Sequence, residues 1–378
     1  MDINTKLLHG YPVVDPFTGA ASIPKYQTST FNQKDLTGPK QPYSYTRFGN
    51  PTVAALEEGY AHLTNATHAL AFASGMAAIS NILMLLKSGD HVILPIEVYG
   101  GTCQFATAIL PSYNIEAEFI DMSSIKNIEQ HIRENTKMIY IETPSNPLLK
   151  VSDIKGITDL ASEKGIMTVA DNTFMTALYQ QPLELGVDIV IESATKFING
   201  HSDVVCGLIA TNDEAIYEKL VLFQKNFGGI VGVDDAWLVL RGMKTMGLRM
   251  ERSVYNAEKI AEFLLTQEKV AKVYYPTLSQ HPLSDVHKKQ AANGGAVLSF
   301  ELRDEEALNS FIEKKQIPIL AVSLGGVESI ISHPTTMSHA CLTEEERRHQ
   351  GISNTLLRLS CGIEDLDDLL QDLEQALN

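Results

Sequence analysis

Five short segments of this chain place reactive or ligand-holding side chains just beyond, or close to, apolar runs. Ser193-Ala194-Thr195-Lys196 follows the apolar run Asp188–Ile191. A lone lysine is ordinarily a solvated surface group, but one set among two hydroxyls at a strand end can offer its amine to an aldehyde. Asp171 closes a second run, Met167–Ala170. A carboxylate there either caps the next element or meets a buried cation such as a protonated ring nitrogen, because an unpaired one is costly to bury. Ala73-Ser74-Gly75-Met76 is a small-residue turn feeding an apolar helix, whose free N–H groups make a natural phosphate site. Most such turns do no more than cap a helix. Tyr99, in Glu97-Val98-Tyr99-Gly100-Gly101, offers a face to a planar ligand, although a strand-end tyrosine is more often packing. Asn146 sits between two prolines in Glu142-Thr143-Pro144-Ser145-Asn146-Pro147, a stiff loop that by itself reads as a plain turn.

Each feature alone is weak, and their coincidence carries the weight. An amine for an aldehyde, a carboxylate for a ring nitrogen, hydroxyls and N–H groups for a phosphate, and an aromatic face are together what pyridoxal phosphate (PLP) requires of a protein. No GxGxxG follows a strand and no GxxxxGK[ST] occurs, so dinucleotide and P-loop readings lose support.

The elements that must position these groups are legible as alternation. Apolar runs suited to buried strands fall at Ala69–Ala73, His91–Pro95, Met138–Ile141, Met167–Ala170, Asp188–Ile191 and Gly207–Ala210, most of them separated by helical stretches. That pattern predicts an α/β fold with a largely parallel sheet covered on both faces, and ligands beyond the carboxyl ends of its strands. Residues 1–58, rich in Pro, Gly, Thr and Gln, read as an extended arm that packs on something else, such as a neighbouring subunit. Residues 59–253 read as the large cofactor-binding domain and 254–378 as a smaller α+β domain. In the latter, Val254, Ala257, Ile260, Ala261 and Leu264 follow helical spacing, as do Leu366, Leu369, Leu370, Leu373 and Leu377. In LLRLSC (356–361) strand alternation puts Leu357, Leu359 and Cys361 on one face and Arg358 on the other, where its planar fork suits a carboxylate.

Bulk properties narrow the class. With 46 acidic against 30 basic residues in 378, the net charge of −16 disfavours nucleic acid as a partner. Cys103, Cys206, Cys341 and Cys361 form no CxxC pair, so neither a disulfide framework nor a metal knuckle is expected, and a reducing compartment, the cytoplasm, fits best. The N-terminus lacks a secretory pattern, and the apolar stretch Ala69–Leu86 is too interrupted to span a membrane.

At the level of longer runs, SYTRFGNPT, ASGMAA, VYGGT, ETPSNPLLKV, DNTF, SATKFINGHSDVV, LRGMKTMGLRM, SLGGVESIISHP and LLRLSCGIED resemble the PLP-dependent enzymes of Cys/Met metabolism. That family includes cystathionine γ-synthase, cystathionine γ- and β-lyases and methionine γ-lyase, and the similarity is greatest to the cystathionine lyases of Gram-positive bacteria. The resemblance implies an aspartate-aminotransferase-like fold and a homotetramer built from tight dimers. It implies that Lys196 carries the cofactor, Asp171 partners the pyridine nitrogen and Tyr99 stacks on the ring and assists catalysis. Gly75, Met76, Ser193 and Thr195 match the phosphate site, with Tyr45 and Arg47 reaching in from the neighbouring subunit. Arg358 and Asn146 match binders of the substrate α-carboxylate, and Ser323 lies near the catalytic lysine.

Two positions depart from the family pattern. Val322 stands where many γ-synthases and γ-lyases have an acidic residue, and Cys103-Gln104 follows YGGT where many members have an arginine two positions on. Both changes remove charge near the distal half of a cystathionine substrate, which opens the site to smaller sulfur amino acids. The leading reading is a C–S lyase that releases a thiol, ammonia and a 2-oxo acid. The alternative is a cystathionine γ-synthase joining an activated homoserine to cysteine. A non-catalytic PLP-fold protein is disfavoured by the intact Lys196, Asp171 and Arg358.

Overall fold

The computed structural model describes residues 1–38, 41–340 and 342–378, so Cys341 lies outside the described residues. The near-continuous apolar runs form the middle of a seven-stranded sheet. Its strands are β1 (His68–Phe72), β2 (His91–Pro95), β3 (Glu116–Ile120), β4 (Thr136–Glu142), β5 (Met167–Asp171), β6 (Ile189–Ser193) and β7 (Gly207–Thr211), in the order β1-β7-β6-β5-β4-β2-β3. Neighbours are parallel except at β7, which runs antiparallel to both β1 and β6. The α/β class with a mostly parallel sheet is therefore as expected.

The alternation of side chains across the sheet feeds two separate cores. Met138 and Tyr140 of β4 pack on one face with Val92 and Leu94, while Ile139 and Ile141 pack on the other with Ile93 and Ala170. A strand buried on both faces has no polar side to show, which is why these runs read as continuous. β3 was absent from the sequence-based expectation for the opposite reason. It is an edge strand paired only with β2, and its residues Glu116–Phe119 keep part of their surface in solvent.

A second, five-stranded sheet follows from β8 (Val270–Tyr274), β9 (Val297–Leu302), β10 (Ile319–Leu320), β11 (Ile330–Ser332) and β12 (Leu356–Ser360), in the order β10-β11-β12-β9-β8. The helix Met246–Leu264 passes from one body to the other. Met246, Met250 and Val254 belong to the core of the large domain, whereas Ala257, Ile260, Ala261 and Leu264 pack with Phe300, Leu357 and Leu359 in that of the small one.

The N-terminal segment is partly built in. The helix Ile3–His9 and the following turn bury Leu7 and Tyr11 in the large core, and the helix Pro51–Leu63 begins inside the stretch read as an arm. Between them the chain lies along the helix Val233–Met243, held by Trp237 Nε1 donating to the Ile23 carbonyl at 3.0 Å and by the Lys25–Asp234 ion pair at 2.7 Å.

Candidate active site

The reversal from β6 into antiparallel β7 carries Thr195 and Lys196. The two ends of this connection (194–206) are held together because Thr195 bonds across it to Cys206. Its N–H donates to the Cys206 carbonyl at 3.2 Å, and its Oγ1 accepts from Cys206 N–H at 3.0 Å. Lys196 N–H then donates to the Ser193 carbonyl at 3.1 Å, which fixes the backbone from which the lysine projects. Its side chain enters a cavity of about 550 Å³ lined also by Gly75, Met76, Tyr99, Asn146, Asp171, Ser193, Thr195, Val322, Ser323 and Arg358. Tyr45 and Arg47 are not among the lining residues. They border a separate groove of about 430 Å³ with Thr28 and Ile230, where Arg47 Nη1 donates to the Lys225 carbonyl at 2.6 Å.

One wall of the cavity belongs to the large sheet. β5 and β6 lie side by side with Asp171 opposite Ile191, so the carboxylate and the lysine rise from adjacent strand ends. Asp171 accepts from Thr173 N–H at 3.0 Å and, more weakly, from the Tyr140 hydroxyl at 3.3 Å. Among the described residues no cationic side chain forms an ion pair with it. Burial accordingly raises its pKa. At the next strand end the helix Gly75–Leu83 starts at Ser74, whose Oγ accepts from Ala77 N–H at 2.9 Å. Gly75 leaves room beside the Ser193 hydroxyl, since a Cβ there would stand 3.1 Å from Ser193 Oγ.

The opposite wall belongs to the smaller sheet. Lys196 Nζ donates to Ser323 Oγ at 2.6 Å. Ser323 lies between β10 and β11 with φ +84°, a left-handed conformation that costs a non-glycine residue about 1–2 kcal/mol. Two residues on, Gly325 (φ +82°) lies so close to Lys196 that a Cβ would come within 2.6 Å of the Phe197 nitrogen. That approach brings the loop against the lysine. Burial, with the charge of Arg358 second, lowers the Lys196 ammonium to about 8.

Arg358 of β12 projects away from the core that holds Leu357, Leu359 and Cys361. Its Nη1 donates to Asn146 Oδ1 at 2.7 Å and its Nη2 to the Ser323 carbonyl at 2.6 Å. Both acceptors are neutral, Nε is buried without a partner, and burial lowers the guanidinium to about 10. A buried cation with only neutral acceptors calls for an anion.

Glu142 went unnoticed in the sequence analysis. It ends β4 directly beside Asp171 in the parallel ladder, lines the cavity, and burial, then the charge of Asp171, raises it to about 8. The signal was present, because Glu142 closes an apolar run as Asp171 does, but the prolines that follow drew attention to Asn146. Thr173, whose Oγ1 accepts from Ser193 N–H at 2.9 Å, is a second omission.

These features fit PLP. Asp171 is an uncompensated carboxylate facing the cavity, Lys196 is an amine with a lowered pKa, and a glycine-opened helix start with Ser193 and Thr195 lies on the same wall. The fold and the cavity thus define a PLP enzyme with an aspartate-aminotransferase-like architecture. The profile of the family described as Cys/Met metabolism PLP-dependent enzyme matches residues 4–378, and the chain belongs to that family. It is 49% identical to cystathionine beta-lyase MetC of Bacillus subtilis (strain 168), over 99% of this chain and 96% of that one. It is 46% identical to the cystathionine gamma-lyase of the same organism, over 100% and 99%. The crystal structure of cystathionine gamma-lyase from Lactobacillus plantarum complexed with L-serine superposes with a TM-score of 0.97 at 41% identity, covering 100% of this chain and 98% of that one.

Proposed function

We propose that this protein is a C–S lyase that cleaves cystathionine and related thioether amino acids, releasing a thiol, ammonia and a 2-oxo acid. The observation that carries the reading is the junction of the two walls, where Lys196, Ser323, Arg358 and Asn146 form one hydrogen-bonded chain in the cavity that Asp171 also lines. Bound PLP supplies an aldehyde that holds the substrate's amine and a cationic ring that draws electrons from its Cα.

Each residue then has a task. The Asp171 carboxylate keeps a proton on the ring nitrogen, since an opposite charge favours the charged form. Ser193, Thr195 and the helix start at Gly75 and Met76 hold the phosphate. Arg358 and Asn146 hold the α-carboxylate of the substrate, which completes the unfilled donor set of the guanidinium. Lys196, with its amine tuned toward neutrality and aimed by Ser323, takes the Cα proton and carries it along the substrate. Tyr99, which lines the cavity and is 43% exposed, would offer its face to the cofactor and assist the departing sulfur.

The site is completed by a second subunit. Tyr45 and Arg47 border a groove on this chain's surface, and Phe17, Leu36 and Phe48 of the same segment are exposed large apolar side chains, as suits the middle part of the 1–58 segment reaching a neighbour's cofactor phosphate while its two ends pack on this chain. Domains of 59–253 and 254–378 and a tetramer of two tight dimers complete the assembly. No helix among the described residues is long and apolar enough to cross a membrane, and the cysteine usage fits a reducing cytoplasm.

Val322, 63% exposed in the cavity lining, favours elimination over the γ-synthase alternative. An apolar side chain there gives an incoming cysteine no charged partner while it waits to react. Incubation with cystathionine tests the reading. Pyruvate with homocysteine marks β-cleavage, 2-oxobutyrate with cysteine marks γ-cleavage, and faster net synthesis of cystathionine from O-acyl-homoserine and cysteine would replace the lyase with the synthase.

A further inference from the structure

Glu142 is the second buried carboxylate of the cavity, and the mechanism above gives it no task. It is 6% exposed, and its two oxygens are used separately. Oε2 accepts from the Tyr99 backbone N–H at 2.8 Å, and Oε1 accepts from the Asn146 backbone N–H at 3.1 Å. Tyr99 stands at the head of the helix Gly100–Ala108, whereas Asn146 lies on the loop after β4. One side chain therefore clasps two loops at the very residues that carry the aromatic face and the partner of Arg358. The loops are strapped again further out, where Lys150 pairs with Glu97, and Gln350 Nε2 ties the small domain to the Ile96 carbonyl at 2.9 Å.

The side-chain type is matched to the task. Only a carboxylate offers an acceptor oxygen to each of two N–H donors, because an amide would set its own NH₂ against one of them. From this strand end the glutamate side chain reaches both loops. An isolated structural carboxylate could be met with a cation or left in water, yet this one is held in the cavity beside Asp171, a costly position if only a loop needed tying.

We propose that Glu142 is a positioning residue that couples the Tyr99 ring to the Asn146–Arg358 pair, so that the stacking face and the α-carboxylate clamp are set as one unit. The proposal rests on the reading of Arg358 and Asn146 as that clamp. Through its backbone bond Glu142 fixes where Asn146 Oδ1 meets Arg358 Nη1, and with it the angle at which the guanidinium presents its free donors.

The experiment is a double-mutant cycle on the PLP-loaded enzyme with Glu142→Gln and Asn146→Ala. Loss of one of the two bonds corresponds to a rise of up to about tenfold in KM for cystathionine, with a smaller change in kcat. In the Asn146→Ala background, Glu142→Gln should raise KM by less than about twofold, because the side chain through which it acts is gone. The visible circular dichroism of bound PLP should change in Glu142→Gln in the direction produced by Tyr99→Ala, a readout independent of turnover. If Glu142→Gln does not fold, Glu142→Asp, which keeps the carboxyl group on a shorter side chain, takes its place in the cycle. Additive effects on KM, or an unchanged dichroism, overturn the coupling while leaving the clamp intact. No rise in KM from Asn146→Ala alone overturns the clamp, and the coupling with it.

Discussion

The large-sheet wall of the cavity and the small-domain wall face the same space but are built by different means. On the large-sheet side, Asp171, Lys196, Ser193 and Gly75 sit on or immediately after strand ends, and the hydrogen-bond ladder fixes their spacing. On the small-domain side, Ser323 is held in a left-handed conformation, and Arg358 is steadied by two neutral acceptors. The first wall takes its spacing from the sheet itself. On the function proposed above, the second, with Asn146, is where the substrate's carboxylate would be met. The contrast predicts that damage to the first wall abolishes turnover, while damage to the second redistributes it.

The largest effect is expected at Lys196. Lys196→Ala should lower kcat by roughly 10²–10⁴-fold, the range of a lost general base. An Arg47→Ala protein should be nearly as inactive by itself, and mixing and reassembling the two should restore part of the activity. Full activity in a stable monomer would exclude the shared site.

Arg358 should behave differently. Arg358→Met removes a buried charge-assisted contact worth about 1.5–3 kcal/mol, so KM should rise by about ten- to a hundredfold. It should also act across the cavity. The guanidinium helps to lower Lys196 to about 8, because a positive neighbour disfavours the ammonium. Its loss should therefore move the pH at which the cofactor-free lysine becomes reactive upward, toward the ordinary lysine value. An unchanged profile would mean that the walls are electrostatically independent.

The smallest effect is expected at Val322. Val322→Glu should shift the ratio of cystathionine formation to cleavage toward formation by about tenfold or less, since exposure screens the new charge. A fall in cleavage with no gain in formation would place the distal subsite elsewhere.

The two walls were not equally legible in the sequence. Strand-end chemistry could be read because an apolar run that stops at Asp171, or just before Ser193 and Lys196, marks its own boundary. Arg358 could be read from alternation, once Leu357 and Leu359 were assigned to a core face. The meeting of Ser323 with Lys196 had no local signal, since it depends on Gly325 lying against the Lys196 backbone from more than a hundred residues away in the chain. β3 was missed because a half-exposed edge strand has no continuous apolar run. Glu142 closes an apolar run just as Asp171 does, but the prolines after it point to Asn146, and the backbone groups it binds leave no side-chain pattern of their own.

The most direct test of the central claim is chemical. The purified protein should be yellow, and borohydride reduction followed by peptide mapping should find the cofactor fixed to the peptide that carries Lys196. Fixation on any other lysine, or a protein that binds PLP without any reducible linkage, would contradict the account.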